Sequence, residues 1–311
     1  MKKFWHKRTP ELACFAGEWL ELTRSRVKES TYIKYETMLR RHILPRLGGC
    51  RPAELSTARV ADFAAYLSRE KGLAPKTVRD ILTCLRGLIG YVAGQLPGQV
   101  PPVEVVYPRE ESGEPRVLSQ EEQQRLAETL LREPDPCRLG VLLALLTGLR
   151  IGELCALRWD DIDPEAGLLR VRATMQRLGQ PGGGTRVVIG PPKSSRSCRC
   201  IPLTHQGLAI CRRMRPRNGA AFVLTGTEKY MEPRTLQYRF ARYAAECGLE
   251  GVHFHTLRHS FATRCVEVGF ELKTLSEILG HSSTSVTLQR YVHSSLALKR
   301  ANMHKLEAAG M

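Results

Sequence analysis

The sequence has 311 residues and a mass of 34.9 kDa, with 47 Lys and Arg against 31 Asp and Glu, which gives a net charge of +16. Its 42% hydrophobic and 25% charged residues are typical of globular proteins and exclude a disordered or collagen-like chain. The length favours two domains, and the positive surplus indicates a polyanionic partner. The longest apolar stretch, residues 139–149, is too short to cross a bilayer. Because the amino terminus lacks a secretory h-region, we expect a cytoplasmic protein with no membrane contact.

The ten cysteines are scattered along the chain, so we interpret them as thiols of a reducing compartment rather than as a disulfide framework. Cys198 and Cys200 form the one close pair. A structural zinc site needs a second such pair or histidines at finger spacing, so no zinc site is predicted.

Residues 1–110 are the more basic part, with 19 Lys and Arg against 11 Asp and Glu, a net +8, while the other 201 residues share the remaining +8. Apolar spacing predicts a helix over 10–22 and a second over 30–44 that Pro45 ends. A third helix follows Ser56 and Thr57. Pro75 opens a fourth, whose apolar stripe leaves Lys76, Arg79 and Arg86 outside it. We predict a bundle of about four helices, which alone identifies no function.

Between Gln95 and Pro115 the pattern gives way to Pro, Gly and acidic residues, which is typical of a linker. The S-x-x-E capping box at Ser119 predicts a helix to about Arg132, and a buried helix follows over 139–147. Three β-rich stretches predict a small antiparallel sheet: 168–176, 185–190 and 198–203. The predicted fold class is therefore α+β. Its parts are an all-helical domain over 1–103, a linker over 104–116 and a mostly helical domain with a small antiparallel sheet over 117–311.

Two segments of the second domain carry cationic side chains on predicted supports. Arg150 follows a Gly at the end of the buried helix, and Glu153, three residues on, can orient its guanidinium. Taken alone, such a pair is more often a surface ion pair. Lys193 lies where two strands should turn, a position at which lysine is usually only solvated.

Three further segments follow in the second domain. His255 and Arg258 share a helix face and can converge on one anion. His255 and His259 have the spacing of metal ligands, but neither the glutamate of the H-E-x-x-H motif nor a third ligand is evident, so a metal is not expected. His281 follows Leu279-Gly280, and Tyr291 comes ten positions later; a lone Tyr is more often packing than a nucleophile.

Taken together in this order, the segments resemble the tyrosine recombinase (phage integrase) family. They read T-G-L-R-I-G-E at 147–153, P-K-S-S-R-S-x-R at 192–199, H-T-L-R-H at 255–259, L-G-H at 279–281, and Tyr291. Any one of them is a weak signal, whereas all in order are hard to obtain by chance. The resemblance implies that residues 1–103 form a core-binding domain that clamps duplex DNA together with the catalytic domain.

The resemblance also implies the roles of the site residues. Tyr291 attacks the scissile phosphodiester and becomes joined to the 3′ phosphate, Arg150 and Arg258 stabilise charge on the nonbridging oxygens, and His281 adds a donor. His255 is the expected base, because tyrosine has an ordinary pKa of about 10. Lys193 is expected to protonate the leaving 5′ oxygen, and Glu153 to brace Arg150 or His255.

The implied partner is double-stranded DNA with specific core sites, cleaved and rejoined through a Holliday junction by a homo-tetramer, with a directionality factor or DNA-bending protein as further candidates. No nucleotide cofactor or metal is expected, because the phosphotyrosine bond conserves the energy for ligation. Candidate DNA contacts of the basic domain are Lys76, Thr77, Arg79 and Arg86. With about ten residues before the first helix, we expect no separate arm-binding domain.

Two alternatives share this fold or chemistry, namely a non-catalytic DNA-binding regulator and a type IB topoisomerase-like relaxing enzyme. The intact set of site residues argues against a regulator, and the core-binding domain with the L-G-H segment favours a recombinase. The tail over 292–311 has helical spacing; the family implies packing on a neighbouring protomer, and packing on its own domain is the alternative.

Overall fold

We analysed a computed structural model of the protein, which describes residues 10–109, 115–180, 183–192, 195–281, 283–291, 300 and 303–304. The chain divides into two compact units, the first formed by residues 1–113 with 178–184 and the second by 114–177 with 185–311. The predicted α+β fold class is confirmed: both units are mainly helical, and the described strands form two small sheets. The domain limits at 103 and 117 stay a prediction.

The first unit consists of helices around one apolar core. Ser56 caps α4 by accepting a hydrogen bond from the Arg59 N–H at 3.2 Å, and Pro75 begins α5, as predicted from these residue types. The apolar stripe of α5, from Val78 to Val92, is buried. The helices are α1 (Leu12–Arg24), α2 (Glu29–Met38), α3 (Leu44–Leu47), α4 (Thr57–Arg69) and α5 (Pro75–Gln95).

Pro45 does not end the second helix, so that prediction is wrong. A π-helical segment, Leu39–Ile43, follows α2, and Pro45 lies in the first turn of α3. Proline lacks an N–H and its ring clashes with the carbonyl four residues earlier in a regular helix. The wider π turn, in which the Leu44 N–H donates to the Leu39 carbonyl five residues back, lets the chain continue in a helical path.

The segment after α5 runs along the first unit without regular secondary structure over 101–109. Val103, Val105 and Tyr107 pack against the core of that unit. The Tyr107 ring lies 5.4 Å from the Arg79 guanidinium and 5.7 Å from that of Arg86. The first part of the predicted linker is thus bound to α5 rather than solvated.

The second unit surrounds the buried helix α7. Ser119 forms the predicted capping box at the start of α6, and the Asp135 side chain accepts from the N–H groups of Cys137 and Arg138 to cap α7. No helix in the described ranges is long and apolar enough to cross a bilayer. The helices are α6 (Gln120–Arg132), α7 (Pro136–Thr147), α8 (Ile151–Ala156), α9 (His205–Met214), α10 (Pro233–Glu246), α11 (Phe254–Glu267), α12 (Leu272–Leu279) and α13 (Thr284–Tyr291).

The predicted single sheet is two sheets. The strands are β1 (Ile162–Asp163), β2 (Leu168–Val171), β3 (Thr174–Gly179), β4 (Thr185–Gly190) and β5 (Arg199–Pro202). β2 pairs antiparallel with both β1 and β5, with Leu169 opposite Ile201, whereas β3 pairs with β4. The stretch predicted as one strand over 168–176 breaks at Arg172 and Ala173, where the chain leaves the first sheet for the second.

Candidate active site

Arg150 lies at the junction of two helices of the second unit. α7 ends at Gly148, whose φ of 66° is left-handed, a conformation that glycine adopts without steric cost. Two residues later Arg150 immediately precedes α8, and its N–H donates to Glu153 Oε2 at 2.9 Å. Its guanidinium donates to Glu153 Oε1 at 2.8 Å and to the Gly280 carbonyl at 3.1 Å. A sharp turn between helices thus holds a cation that is still 35% exposed.

Glu153 is the buried acceptor of this arrangement, with 3% of its surface exposed. It contacts Arg150 and also Arg199, whose Nη1 and Nη2 donate to its two oxygens at 3.0 and 2.9 Å. Burial acts to raise the pKa of the carboxyl, but hydrogen bonds from Arg199 and the charges of both arginines outweigh it, so the pKa is lowered. Glu153 is therefore a carboxylate at neutral pH and serves to orient guanidinium groups.

The sequence motifs predicted no role for Arg199, although this residue ends the P-K-S-S-R-S-x-R segment. It begins β5, its side chain is 5% exposed, and its Nε donates to the Ile278 carbonyl at 2.5 Å. A buried arginine paired with a buried glutamate 46 positions away is a long-range contact that local spacing does not encode.

Arg258 extends from α11 to the same two turns. It is 2% exposed, and its Nη1 and Nη2 donate to the carbonyls of Gly148 at 2.8 Å and Leu279 at 2.7 Å. Gly280, which ends α12, also has a left-handed φ, of 63°. The two glycine turns therefore point main-chain oxygens at two arginines, Arg150 and Arg258, whose sequence positions are far apart.

His255 and His259 lie one turn apart on α11, with ring centroids 4.7 Å apart and ring planes at 89°. His255 is exposed and His259 half-buried. Among the residues that the structure describes, no three His, Cys, Asp or Glu side chains are grouped so that they could hold a metal ion. The structure places Glu153 against Arg150 and Arg199, so its predicted bracing falls on arginine.

His281 follows the Gly280 turn and is 9% exposed. Its Nδ1 is 2.8 Å from the Oγ1 of Thr287, a fully buried residue of α13 that the sequence reasoning did not identify. A cavity of about 410 Å³ opens beside His281, and its lining includes Arg196, Arg199 and Lys273. The hydroxyl fixes the ring through one nitrogen.

Tyr291 is the last residue of α13, and its side chain lies outside the described residues. Lys193 also lies outside them, as does the tail over 292–311 apart from 300 and 303–304. The structure thus brings together Arg150, Glu153, Arg258 and the His281 turn. The roles predicted for all of the site residues, including His255, Tyr291 and Lys193, stay predictions.

In the described part of this site, the guanidinium groups of Arg150 and Arg199 contact the Glu153 carboxylate, and that of Arg258 is held by the carbonyls of Gly148 and Leu279. Fixed cationic donors in a partly desolvated site stabilise a phosphate anion and the charge that develops on it during displacement. The arrangement is therefore suited to chemistry on a phosphodiester.

Two models of protein families match the chain. The model of the phage integrase family matches residues 116–297, more than half of the chain, and that of the phage integrase N-terminal SAM-like domain matches 12–68. The chain belongs to the phage integrase family. The resemblance inferred from the ordered motifs is thereby confirmed.

Among curated relatives of this integrase-family chain, tyrosine recombinase XerC of Xanthomonas campestris pv. campestris (strain B100) is 32% identical over 247 residues, covering 78% of this chain and 70% of the relative. A tyrosine recombinase XerC-like protein of Caldanaerobacter subterraneus subsp. tengcongensis is 27% identical over 304 residues, covering 88% and 77%.

Solved structures show the same fold at low identity. The Tn1549 transposon integrase in complex with a circular intermediate DNA has a TM-score of 0.78 and 21% identity, covering 96% of this chain and 100% of that chain. A lambda integrase tetramer bound to a Holliday junction has a TM-score of 0.64 and 21% identity, covering 91% and 78%. These similarities extend over both units of the integrase-family chain.

The candidate DNA contacts of the first unit are exposed residues of α5: Lys76, Thr77, Arg79 and Arg86. Arg79 also donates from Nη2 to the Pro108 carbonyl at 3.1 Å, in addition to stacking on Tyr107. Two of the four candidates, Arg79 and Arg86, therefore also contact the segment after α5, which sequence spacing did not predict.

Proposed function

We propose that the protein is a site-specific DNA recombinase that cleaves and rejoins duplex DNA through a 3′-phosphotyrosine intermediate and a Holliday junction. The observation that carries the proposal is the convergence of Arg150, Arg258 and His281 on the glycine turns at 148 and 280, within a chain of the phage integrase family. The proposal is supported by relatives that are named tyrosine recombinases and that align with this chain over most of their length.

In this proposal the phosphodiester binds against Arg150 and Arg258. Guanidinium groups match the geometry of phosphate oxygens, and their charge lowers the barrier to attack by an anionic nucleophile. The Tyr291 oxygen attacks phosphorus, the bond to the 5′ oxygen breaks, and the 3′ phosphate remains on the tyrosine. His255 accepts the tyrosine proton, Lys193 protonates the leaving 5′ oxygen, and His281 donates a hydrogen bond to the phosphate.

Rejoining is the reverse displacement, in which a 5′ hydroxyl from another strand attacks the phosphotyrosine. The energy of the broken phosphodiester is kept in the protein–DNA bond, so the balance needs no nucleotide cofactor. Recombination between two duplexes needs four such cleavages, and a homo-tetramer on DNA core sites supplies them. The fold neighbour bound as a tetramer to a Holliday junction supports this stoichiometry. A directionality factor or a DNA-bending protein belongs to the same proposal, as does action at the nucleoid.

The first unit is proposed to add affinity that does not depend on base sequence. Lys76, Thr77, Arg79 and Arg86 are exposed on α5 and are suited to contact the phosphate backbone. Arg79 and Arg86 also lie against the Tyr107 ring. Each phosphate contact releases counterions, which makes such binding strongly dependent on salt.

The test uses a nicked duplex made from the DNA that flanks the gene. Incubation followed by denaturation should yield a covalent protein–DNA adduct with the natural protein and none with Tyr291→Phe, because phenylalanine lacks the attacking oxygen. Tyr230→Phe is the matched control, since this tyrosine is 46% exposed and makes an edge contact with Phe222. Both variants should bind the duplex normally.

Three results would contradict the proposal in different ways. An adduct that persists in Tyr291→Phe would refute the assignment of the nucleophile. Binding of the natural protein without any adduct would indicate a DNA-binding regulator. Relaxation of supercoiled plasmids that lack the flanking site, at the rate seen with the site present, would indicate a topoisomerase-like enzyme.

A further inference from the structure

We propose that Arg199 is a positioning residue for DNA cleavage, which holds Glu153 and the turn after α12 so that the Arg150 guanidinium is fixed where the phosphate binds. This inference rests on the proposed function, since it assigns Arg150 to the phosphate. Arg199 itself is not proposed to contact the DNA, because four of its five N–H groups already donate to Glu153 and to the carbonyls of Ile278 and Ser197.

The first support is the geometry of the shared carboxylate. Arg199 forms a two-bond fork with both oxygens of Glu153, at 3.0 and 2.9 Å, and Arg150 bonds the same oxygens through Nη1 and its main-chain N–H at 2.8 and 2.9 Å. A carboxylate bound on both edges has one orientation. Without Arg199, the Glu153 side chain keeps only the partners on the Arg150 side.

The second support is the balance of charge. A buried glutamate paired with Arg150 alone would cancel the charge that the phosphate needs. With Arg199 sharing the carboxylate, these two guanidinium groups and one carboxylate carry a net charge of +1, which keeps the trio attractive to an anion where water is partly excluded. Arg199 therefore contributes a neutralising charge as well as orientation.

The third support is the contact of Arg199 with the turn after α12. Its Nε donates to the Ile278 carbonyl, and the next two carbonyls, of Leu279 and Gly280, accept from Arg258 and Arg150. A Cβ added at Gly280 would lie 3.0 Å from Nη1 of Arg199, so the turn and this side chain are in close contact. Arg199 thus holds both a side-chain and a main-chain partner of Arg150.

The experiment compares cleavage of two nicked duplexes by the full-length protein, one with a natural scissile phosphate and one with a neutral methylphosphonate at that position. The variants are Arg199→Met, Arg199→Lys and Arg150→Ala. Arg177→Met is the matched control, because Arg177 forms a similar fork with a glutamate, Glu232, but is 44% exposed. Thermal unfolding of every variant is measured alongside, since loss of a buried partner also affects stability.

If Arg199 acts through Arg150, Arg199→Met should slow cleavage of the phosphate substrate by roughly 10- to 100-fold, because a catalytic group displaced by about 1 Å can cost on the order of 100-fold in rate. On the methylphosphonate, which has no anionic charge for Arg150 to meet, the loss should shrink to about 3-fold. Arg199→Lys keeps the charge but not the fork and should show a smaller loss with the same dependence on substrate. Arg177→Met should cleave both normally.

Adding Arg199→Met to Arg150→Ala should slow cleavage no further, because residues that act as one unit are not additive. Equal losses on the two substrates, or additive losses in the double variant, would overturn the inference and leave a structural role. If Arg199→Met does not fold, the substrate dependence of Arg199→Lys decides the question. Normal cleavage by a folded Arg199 variant refutes the inference alone, whereas absence of any adduct with the natural protein refutes the proposed function and this inference together.

Discussion

Replacing Glu153 by glutamine tests the buried network through stability, independently of any DNA substrate. The substitution keeps the shape of the side chain but removes the charge that three guanidinium bonds and one N–H bond share. Removing one partner of a buried ion pair costs about 3–5 kcal/mol, because the remaining charges lose their compensation. For a unit of this size that corresponds to a fall in the unfolding temperature of roughly 6–20 °C.

The sign of the pH dependence follows from the pKa of Glu153, which is lowered in the folded protein. A carboxylate of this kind contributes stability fully above its unfolded pKa, about 4.3, and the contribution is lost as the pH falls through the lower, folded pKa. The difference between the natural protein and Glu153→Gln should therefore be constant from pH 8 to about pH 5 and shrink only in more acidic solution.

Calorimetric unfolding of the full-length protein over a pH series measures this difference, with Glu232→Gln as the control. Glu232 also accepts a fork from an arginine, Arg177, but on the surface, so its substitution should change the unfolding temperature little. A difference for Glu153→Gln that is below about 1 kcal/mol at pH 7, or that disappears between pH 7 and pH 5, would refute the reasoning.

Two further predictions concern the turns and the histidine. Gly148→Ala should destabilise the protein by about 2 kcal/mol or more, because φ is positive and the new Cβ would lie 2.6 Å from Phe261. Gly90→Ala, in open space within α5, should instead stabilise it by roughly 0.5–1 kcal/mol. Equal changes of the two variants in urea unfolding would contradict this prediction. Thr287→Val should slow single-turnover cleavage about 10-fold, because it removes the hydroxyl at His281 Nδ1. Thr83→Val, which removes a hydroxyl on α5, should leave cleavage unchanged. Unchanged cleavage by Thr287→Val would show that this contact does not position the ring.

Most helices of the first unit and the first two of the second were predictable because their signals are local. Ser56, Pro75 and Ser119 mark helix starts through hydrogen bonds or a fixed φ within one turn, and the structure has helices beginning there. The prediction that Pro45 ends a helix failed because a π turn can absorb a missing N–H. The break between β2 and β3 depends on which strands pair, and pairing partners are not written in the strand's own residues.

The site was predictable only as an ordered set of segments. Arg150 and Glu153 are close in sequence, so their pairing followed from helical spacing, and the structure has that pair. The contacts of Arg199 with Glu153 and Ile278 join residues 46 and 79 positions apart, which no local pattern indicates. Thr287 was missed because a single threonine in a polar helix carries no signal until the fold brings it to His281.

The carbonyls that hold Arg150 and Arg258 belong to the main chain, and this affects how the site tolerates change. An acceptor on the peptide backbone cannot be deleted by exchanging the side chain at position 279, whereas at 148 and 280 exchange is limited by the left-handed turn itself. These carbonyl oxygens also bear only partial negative charge, so they orient the guanidinium groups without neutralising a full positive charge. Sequence drift around the turns can therefore be wide, provided that two glycines and the path of the backbone persist.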